Sequence, residues 1–251
     1  MPIVYTSAPT ASQRKEIQNT YNLCCQAEPL ALSCPQDADI YWLLTDGGGT
    51  VLSFLAAWQT GEALWECCAF TRPGCRRKGY ASRLLDTACG EGAPLEEGDI
   101  LFAADGNSPA GIRALECLGA QAAEEEYLME CALPSPMQAP SESCGPRLAL
   151  GPPAEDGAPF SASLLDADGR ELGSCLLSPS GSSVCLSSLH IQEELRGKGL
   201  GTAFLGLLLP ALAEEGFSRI ILQVSGSNAP ALALYKKIGF RVMETLLYYL
   251  Y

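Results

Sequence analysis

Apolar residues recur along the chain in two successive series of short patterns that follow the same order. Alternating or continuous apolar runs predict strands, and apolar residues three and four positions apart predict helices. The first series predicts strands at residues 2–6, 40–44, 51–58, 63–70, 100–104 and 127–133, and helices at 12–25, 82–89 and 108–118. The second series predicts strands at residues 148–150, 160–165, 171–178, 183–191, 219–224 and 242–251, and helices at 201–214 and 229–238. The second series has no counterpart of the first helix.

The two series form an internal repeat of about 120 residues. Each contains a glycine-bearing turn between a predicted strand and a predicted helix, at residues 76–81 and 195–202. Other pairs keep nearly the same spacing: Leu118-Gly119-Ala120 with Ile238-Gly239-Phe240, and Asn107 with Asn228, the latter one residue further apart. A repeat of this length indicates two copies of one fold.

The repeat divides the chain into two expected domains. Residues 1–133 form the first and residues 147–251 the second, and each is long enough to fold as a domain. Residues 134–146 are rich in proline and serine, which is typical of a linker.

The turn at residues 195–202 has the composition of an anion site. Gly197, Gly199 and Gly201 let the main chain turn sharply and approach a ligand closely. The first N–H groups of the following helix lack partners within the helix and carry the positive end of its dipole, which suits a phosphate. Arg196 and Lys198 add positive charge. The spacing fits neither the phosphate-binding loop of nucleotide hydrolases nor the dinucleotide pattern, and taken alone it also fits a tight strand–helix connection.

Both turns resemble a signature of the GNAT superfamily of acyl-CoA-dependent N-acetyltransferases. That signature, Gln/Arg-x-x-Gly-x-Gly/Ala, is matched by Arg196-x-x-Gly199-x-Gly201 and by Arg76-x-x-Gly79-x-Ala81. Residues 228–240 resemble the superfamily's Asn…Ala…Leu-Tyr-x-x-x-Gly-Phe segment. The resemblance covers most of both halves and implies an α/β (α+β) protein. It would contain two tandem GNAT folds, each a mixed, mostly antiparallel splayed sheet flanked by helices.

The resemblance also implies a set of residues that bind acetyl-CoA as co-substrate. The main chain of the fourth strand in the second half would bind the pantetheine arm, and the turn would bind the pyrophosphate. Asn228 would touch the arm, although its position also fits a helix N-cap. The expected binding residues are Leu189, His190, Ile191, Arg196, Gly197, Lys198, Gly199, Gly201, Thr202 and Asn228.

Tyr235 matches the residue that the family uses as general acid for the departing thiolate. A phenol has a pKa near 10, so it keeps its proton at neutral pH and can donate it. The alternative for Tyr235 is an aromatic side chain packed between helix and sheet. The sequence names no general base. His190 has a suitable side chain, but a packed or surface histidine is the favoured interpretation.

The first half departs from the family pattern at two positions. Leu115 replaces Tyr235, and Ala120 replaces Phe240. The missing hydroxyl predicts a degenerate domain, while the turn could still form a second CoA site. The residues of that possible site are Arg76, Arg77, Lys78, Gly79 and Ala81.

Composition narrows the functional classes. The net charge of −13 argues against a nucleic-acid partner, because phosphate contacts need a basic surface. No apolar run approaches the roughly 18 residues of a membrane span. The chain has 12 cysteines without a zinc-type spacing and a single histidine, which predicts free thiols in a reducing cytoplasm and no metal.

Together with the resemblance, these observations predict that the chain is an N-acetyltransferase, which transfers an acetyl group from acetyl-CoA to a primary amine by direct attack. The expected acceptor is a small-molecule amine, the expected location is cytoplasmic, and the chain is expected to be a monomer or a homodimer without nucleic-acid or membrane partners. The carboxyl-terminal half is the expected catalytic domain. The alternative is a non-catalytic CoA-binding or interaction module with two GNAT-like domains.

Overall fold

The computed structural model describes residues 1–28, 30–133, 145–151 and 157–251, and these residues form two compact units. Unit 1 contains Met1–Glu125 together with Thr245–Tyr251, and unit 2 contains Glu126–Glu244. The expected linker, residues 134–146, lies outside the described residues except for its last two positions.

Unit 1 is a mixed sheet with helices packed on both faces. Its elements are β1 (Ile3–Thr6), α1 (Ala11–Ala27), β2 (Ile40–Thr45), β3 (Val51–Gln59), β4 (Leu64–Thr71), α2 (Tyr80–Ala88), β5 (Asp99–Asp105), α3 (Pro109–Leu118) and the end of the last strand, β12 (Arg241–Leu250). The strands follow the order β1-β2-β3-β4-β5-β12, and only the neighbours β4 and β5 are parallel.

The continuous apolar run of β2 follows from burial on both faces. Trp42 and Leu44 pack in one cluster with α2, whereas Tyr41 and Leu43 pack in another with α1. Successive side chains of a strand point to opposite faces, so a strand between two helical layers needs apolar residues at every position.

Unit 2 has a similar sheet, with one core among its described residues. Its elements are the second part of β6 (Gln121–Ala132), β7 (Arg147–Leu150), β8 (Phe160–Leu165), β9 (Glu171–Ser180), β10 (Ser183–Ile191), α4 (Leu200–Glu214), β11 (Arg219–Ser225) and α5 (Ala229–Ile238). The strand order is β6-β11-β10-β9-β8-β7, with only β10 and β11 parallel.

One face of β10 is buried and the other is exposed. Val184 and Leu186 lie in the core with the apolar side chains of α4, whereas Cys185 and Ser187 are exposed. Within the described ranges of unit 2, no helix precedes β8.

Each sheet is completed by the last strand of the other repeat. In unit 2, Glu126–Ala132 of β6 pairs antiparallel with β11. In unit 1, Leu246–Leu250 of β12 pairs antiparallel with β5. The compact units thus differ from the expected ranges 1–133 and 147–251, because the last strand of the first range lies mainly in unit 2 and the end of the last strand of the second range lies in unit 1. Two similar sheets offer similar partners to a strand, so its sequence pattern does not specify which sheet it joins.

The described residues of the two units contain no disulfide and no helix long and apolar enough to span a membrane. None of the eleven described cysteines is part of a disulfide. Across the described residues, no helix has the length and apolar character needed to cross a membrane.

Candidate active site

In unit 2 the parallel strands β10 and β11 pair only at their beginnings. Ser183–Leu186 pairs with Arg219–Leu222, and within the described residues the remainder of β10 pairs with β9 alone. The edge of residues 187–191 that faces away from β9 therefore presents main-chain groups that are not used in the sheet. Such groups need a partner, which a bound ligand can provide.

A β-bulge interrupts β10 at this point. Ser187 pairs with Leu176 and His190 with Ser174, so Ser188 and Leu189 both lie opposite Cys175. Ser188 adopts a φ of 53°, which is uncommon for a residue other than glycine. Bulges redirect side chains and end regular pairing, and they are frequent beside active sites.

The glycine turn follows β10 directly and begins α4. Gly197 and Gly199 adopt φ values of 73° and 81°, the left-handed conformation that favours glycine. Gly199 is the N-cap of α4, and no side chain caps the helix there. The first N–H groups of α4 therefore remain available, as the sequence predicted for an anion site.

The two cations of this turn are held by main-chain oxygens. Arg196 Nε donates to the Ile191 carbonyl at 3.1 Å, and Lys198 Nζ donates to the Glu194 carbonyl at 2.9 Å. Arg196 also lies 3.4 Å from His190 Nε2. His190 is exposed, which agrees with the surface interpretation of this histidine.

Asn228 begins α5, the helix that carries Tyr235. Its side-chain oxygen accepts a hydrogen bond from Ala231 N–H at 3.2 Å, so it is the N-cap of the helix. Asn228 is exposed, and its amide nitrogen can still donate to a ligand.

Tyr235 is buried in the core of unit 2 at 7% exposure. Its ring packs on Phe240 with centroids 5.4 Å apart. Burial and the neighbouring Cys175 thiol raise the pKa of Tyr235 above its ordinary value of 10.0, so the phenol stays protonated at neutral pH. Cys175 also lies opposite the bulge. The structure thus brings Tyr235 near the bulge, while the packed aromatic interpretation also describes its ring.

The glycine turn of unit 1 has nearly the same main-chain conformation. Arg77 and Gly79 have φ values of 61° and 72°, and Gly79 is the N-cap of α2 without a side-chain cap. Arg76 Nε donates to the carbonyl of Thr71, as Arg196 does to that of Ile191. One difference within the turn is that Arg77, rather than a glycine, adopts the left-handed conformation.

The strands beside the unit 1 turn differ from those of unit 2. Parallel pairing of β4 and β5 stops after Cys67, but β4 pairs with β3 in one unbroken register. No bulge interrupts β4. Leu64 is the first residue of β4 that pairs with β5, and Ser183 is the first residue of β10 that pairs with β11; these equivalent residues are 119 positions apart in the sequence. The turn arginines, Arg76 and Arg196, are 120 positions apart. The bulge therefore corresponds to one additional residue in β10.

The structure corrects one pairing inside the repeat. Ser108, not Asn107, is the N-cap of α3, where its side chain accepts from Gly111 N–H at 3.2 Å. Ser108 and Asn228 are 120 residues apart, like the other equivalent positions. The main-chain N–H of Asn107 instead donates to Asp105 at 2.7 Å. The type of side chain suggested the wrong pair, because serine and asparagine both serve as caps.

The bulge at Ser188 is the feature that sequence reasoning missed. Simple alternation along a strand does not allow for an inserted residue, which changes the alternation at that point. The sequence does contain an indication of the bulge, since the spacing between equivalent residues of the repeat changes from 119 before it to 120 after it. This change can be recognised only once the strand pairing shows which residues are equivalent.

Residues 126–240 match the sequence model of the Acetyltransferase (GNAT) family, a range that covers nearly all of unit 2. This match identifies a GNAT-family domain in residues 126–240.

Two relatives illustrate the sequence similarity. The mycothiol acetyltransferase of Corynebacterium jeikeium (strain K411) is 45% identical over 62 residues, which cover 25% of this chain and 16% of that protein. The mycothiol acetyltransferase of Clavibacter sepedonicus is 41% identical over 83 residues, or 32% of this chain and 27% of that protein. The matched segments thus span only about a sixth to a quarter of these relatives.

Solved structures resemble the chain over its whole length. A GCN5-related N-acetyltransferase from Sphaerobacter thermophilus has a TM-score of 0.72 at 17% identity, covering 99% of this chain and 95% of that one. A tandem GNAT protein from the clavulanic acid biosynthesis pathway has a TM-score of 0.67 at 16% identity, covering 100% and 98%. At these identities the likeness establishes the fold.

Proposed function

We propose that the chain is an acyl-CoA-dependent N-acyltransferase in which unit 2 transfers an acetyl group from acetyl-CoA to a primary amine. One observation carries the proposal: in unit 2, the end of β10–β11 pairing, the bulge at Ser188 and an uncapped glycine turn follow one another within the stretch 187–201. This arrangement offers main-chain groups to a pantetheine arm and N–H groups to its pyrophosphate.

Each part of the co-substrate has a chemical counterpart in this stretch. The main chain of Leu189, His190 and Ile191 would bind the amides of the arm. The turn would bind the pyrophosphate through the N–H groups of α4 and the two cations. The residues in the turn are Arg196, Gly197, Lys198, Gly199, Gly201 and Thr202. The amide nitrogen of Asn228 would donate to the arm.

The reaction requires a neutral amine and a protonated leaving group. An amine with a lysine-like pKa is neutral in roughly one molecule in a thousand at pH 7, so it must lose a proton before attack. Its nitrogen then attacks the thioester carbonyl carbon and forms the N–C bond, the carbon–sulfur bond breaks, the nitrogen releases a proton to solvent to become the amide, and the thiolate takes a proton. Tyr235 would donate that proton, since burial keeps its phenol protonated.

A small primary amine is the proposed acceptor. The net charge of −13 attracts cationic molecules such as protonated amines. The two relatives described above, which match 25% and 32% of this chain, bear the name mycothiol acetyltransferase, which favours a small molecule over a protein as acceptor.

The test is Tyr235→Phe in the full chain, assayed with acetyl-CoA and a panel of small amines. If Tyr235 is the general acid, turnover falls by about 10²–10⁴-fold, while calorimetry shows unchanged acetyl-CoA affinity. The matched control is Tyr249→Phe, which removes the hydroxyl of a buried tyrosine in unit 1 and should leave the rate unchanged.

The rival function is a non-catalytic CoA-binding module, which the burial of Tyr235 in the core would favour. That function predicts acetyl-CoA binding without turnover for any amine. An unchanged rate in Tyr235→Phe would remove Tyr235 from catalysis, and an absence of acetyl-CoA binding would refute both functions.

A further inference from the structure

The arginine of the glycine turn has a different environment in the two units. In unit 1 the guanidinium of Arg76 forms an ion pair with Glu28, with Nη2 and Oε1 2.7 Å apart. Glu28 belongs to the segment after α1. Among the residues described, Arg196 of unit 2 has no ion pair, and unit 2 has no counterpart of α1. Within the described ranges, a carboxylate therefore pairs with the turn arginine in unit 1 alone.

Glu28 is held at this place by contacts from two elements. Its other carboxylate oxygen, Oε2, accepts from the hydroxyl of Ser108, the N-cap of α3, at 3.1 Å. Glu28 is also the C-cap of α1, where the helix dipole disfavours a negative charge. The Arg76 guanidinium compensates this cost. Burial lowers the pKa of Arg76, but the hydrogen bond from Arg76 to Glu28 and the charge of Glu28 together outweigh this effect. The net pKa of Arg76 is therefore raised, and the guanidinium stays charged.

The residues that follow contact the core beside α1 and the end of β5. Leu30 and Leu32 pack against the buried cluster between α1 and the sheet, which includes Cys68 and Phe70 from the part of β4 beyond its pairing with β5. The main-chain N–H of Ala31 donates to the carboxylate of Asp105, a buried residue at the end of β5. Ser225 stands at the position of Asp105 in unit 2.

We propose that Glu28 and residues 30–32, the closing segment, occupy in unit 1 the place that acetyl-CoA takes in unit 2, so that the chain binds a single acetyl-CoA. The carboxylate replaces the pyrophosphate at the turn arginine, and Leu30, Ala31 and Leu32 replace the arm beside β4. The proposal rests on the proposed function of unit 2. It also means that the possible second CoA site at Arg76, Arg77, Lys78, Gly79 and Ala81 is closed by the chain itself.

The experiment is hydrogen exchange on the full chain with and without saturating acetyl-CoA, followed in peptides that cover the two glycine turns. In the wild-type protein, acetyl-CoA should slow exchange at residues 196–203 and leave residues 76–83 unchanged. Protection at residues 76–83 of the wild-type protein would overturn the proposal, whatever happens at the other turn.

Glu28→Ala tests whether the carboxylate is what excludes the ligand. In this variant acetyl-CoA should slow hydrogen exchange at residues 76–83, by about tenfold when the ligand is present at ten times its Kd. The matched control is Glu16→Ala, which removes a carboxylate of α1 that is paired with a different arginine, Arg72, and should give no protection at residues 76–83. A thermal melt verifies that both variants fold.

The outcomes separate this proposal from the function of unit 2. Protection at residues 76–83 in Glu28→Ala, without protection at residues 196–203 in either protein, would refute the function of unit 2 and support the closing segment. A folded Glu28→Ala variant that gains no protection at residues 76–83 would overturn the proposal even if unit 2 binds acetyl-CoA. If Glu28→Ala does not fold, the proposal is tested by the wild-type protein alone, through the presence or absence of protection at residues 76–83.

Discussion

The two glycine turns have almost the same main-chain geometry but different surroundings. Gly79 and Gly199 are both left-handed N-caps without a side-chain cap, and an arginine precedes each by three residues. In unit 1 the arginine is paired with Glu28 and the neighbouring strand is regular. In unit 2 the arginine has no ion pair among the described residues, and the strand is bulged.

The comparison shows that a preserved turn does not by itself preserve a binding site. The turn supplies N–H groups wherever a strand leads into a helix at a glycine. Whether a ligand can use those groups depends on the strand beside them and on what the rest of the chain places in front of them. Among the residues that the structure describes, one inserted residue in β10 and the helix α1 of unit 1 distinguish the two copies.

The largest expected effect comes from deleting residues 245–251, because it tests whether unit 1 depends on the last strand. Leu247 packs against the unit 1 core, and Tyr249 is 6% exposed. Burial of such side chains contributes about 1.5–3 kcal/mol each, a large part of the stability of an ordinary domain. Hydrogen exchange should therefore become faster in β5.

Val242→Ala combined with Met243→Ala is the control for this deletion, since both side chains are exposed and lie in unit 2. It should leave exchange in β5 unchanged. If the deletion instead accelerates exchange in β11 and leaves β5 protected, the assignment of the last strand to unit 1 is wrong.

Deleting Ser188 should convert β10 into a regular strand like β4. The main chain would then be displaced beside the proposed arm, and a misplacement of about 1 Å can cost about 100-fold in rate. We expect kcat/KM to fall by that order while circular dichroism remains that of the wild-type protein.

Ser188→Gly is the matched variant for this deletion. It keeps the number of residues and suits the φ of 53°, so its kcat/KM should stay close to that of the wild-type protein. A deletion variant with wild-type kcat/KM would show that the bulge has no part in the reaction.

The smallest expected effect concerns the residue between the arginine and the lysine of each turn. Arg77 has a φ of 61°, a conformation that costs a residue other than glycine about 1–2 kcal/mol. Glycine increases the entropy of the unfolded chain, which offsets about 0.4–1 kcal/mol. Arg77→Gly should therefore stabilise unit 1 by about 0.5–1 kcal/mol, and Gly197→Arg should destabilise unit 2 by a similar amount.

Urea unfolding, followed by hydrogen exchange within each unit, measures both changes. Lys78→Gly serves as the control, because Lys78 does not have a positive φ and the glycine should only destabilise. Equal effects of Arg77→Gly and Lys78→Gly would contradict the strain at Arg77.

The sequence alone determined the repeat, most of the elements and the two turns. Apolar periodicity is a local property, as is the left-handed conformation that glycine permits, so both can be recognised without knowledge of distant contacts. The match of residues 228–240 likewise placed Tyr235 on a helix before the structure located its ring in the core.

Only the tertiary structure decided which sheet receives each last strand, where β10 bulges and what faces Arg76. These features depend on partners that are remote along the chain: β6 pairs with β11, β12 pairs with β5, and Glu28 lies 48 positions before its arginine in the sequence. The pattern of one strand does not identify its partner among similar sheets, and a single carboxylate carries no sequence signal for the cation it will meet.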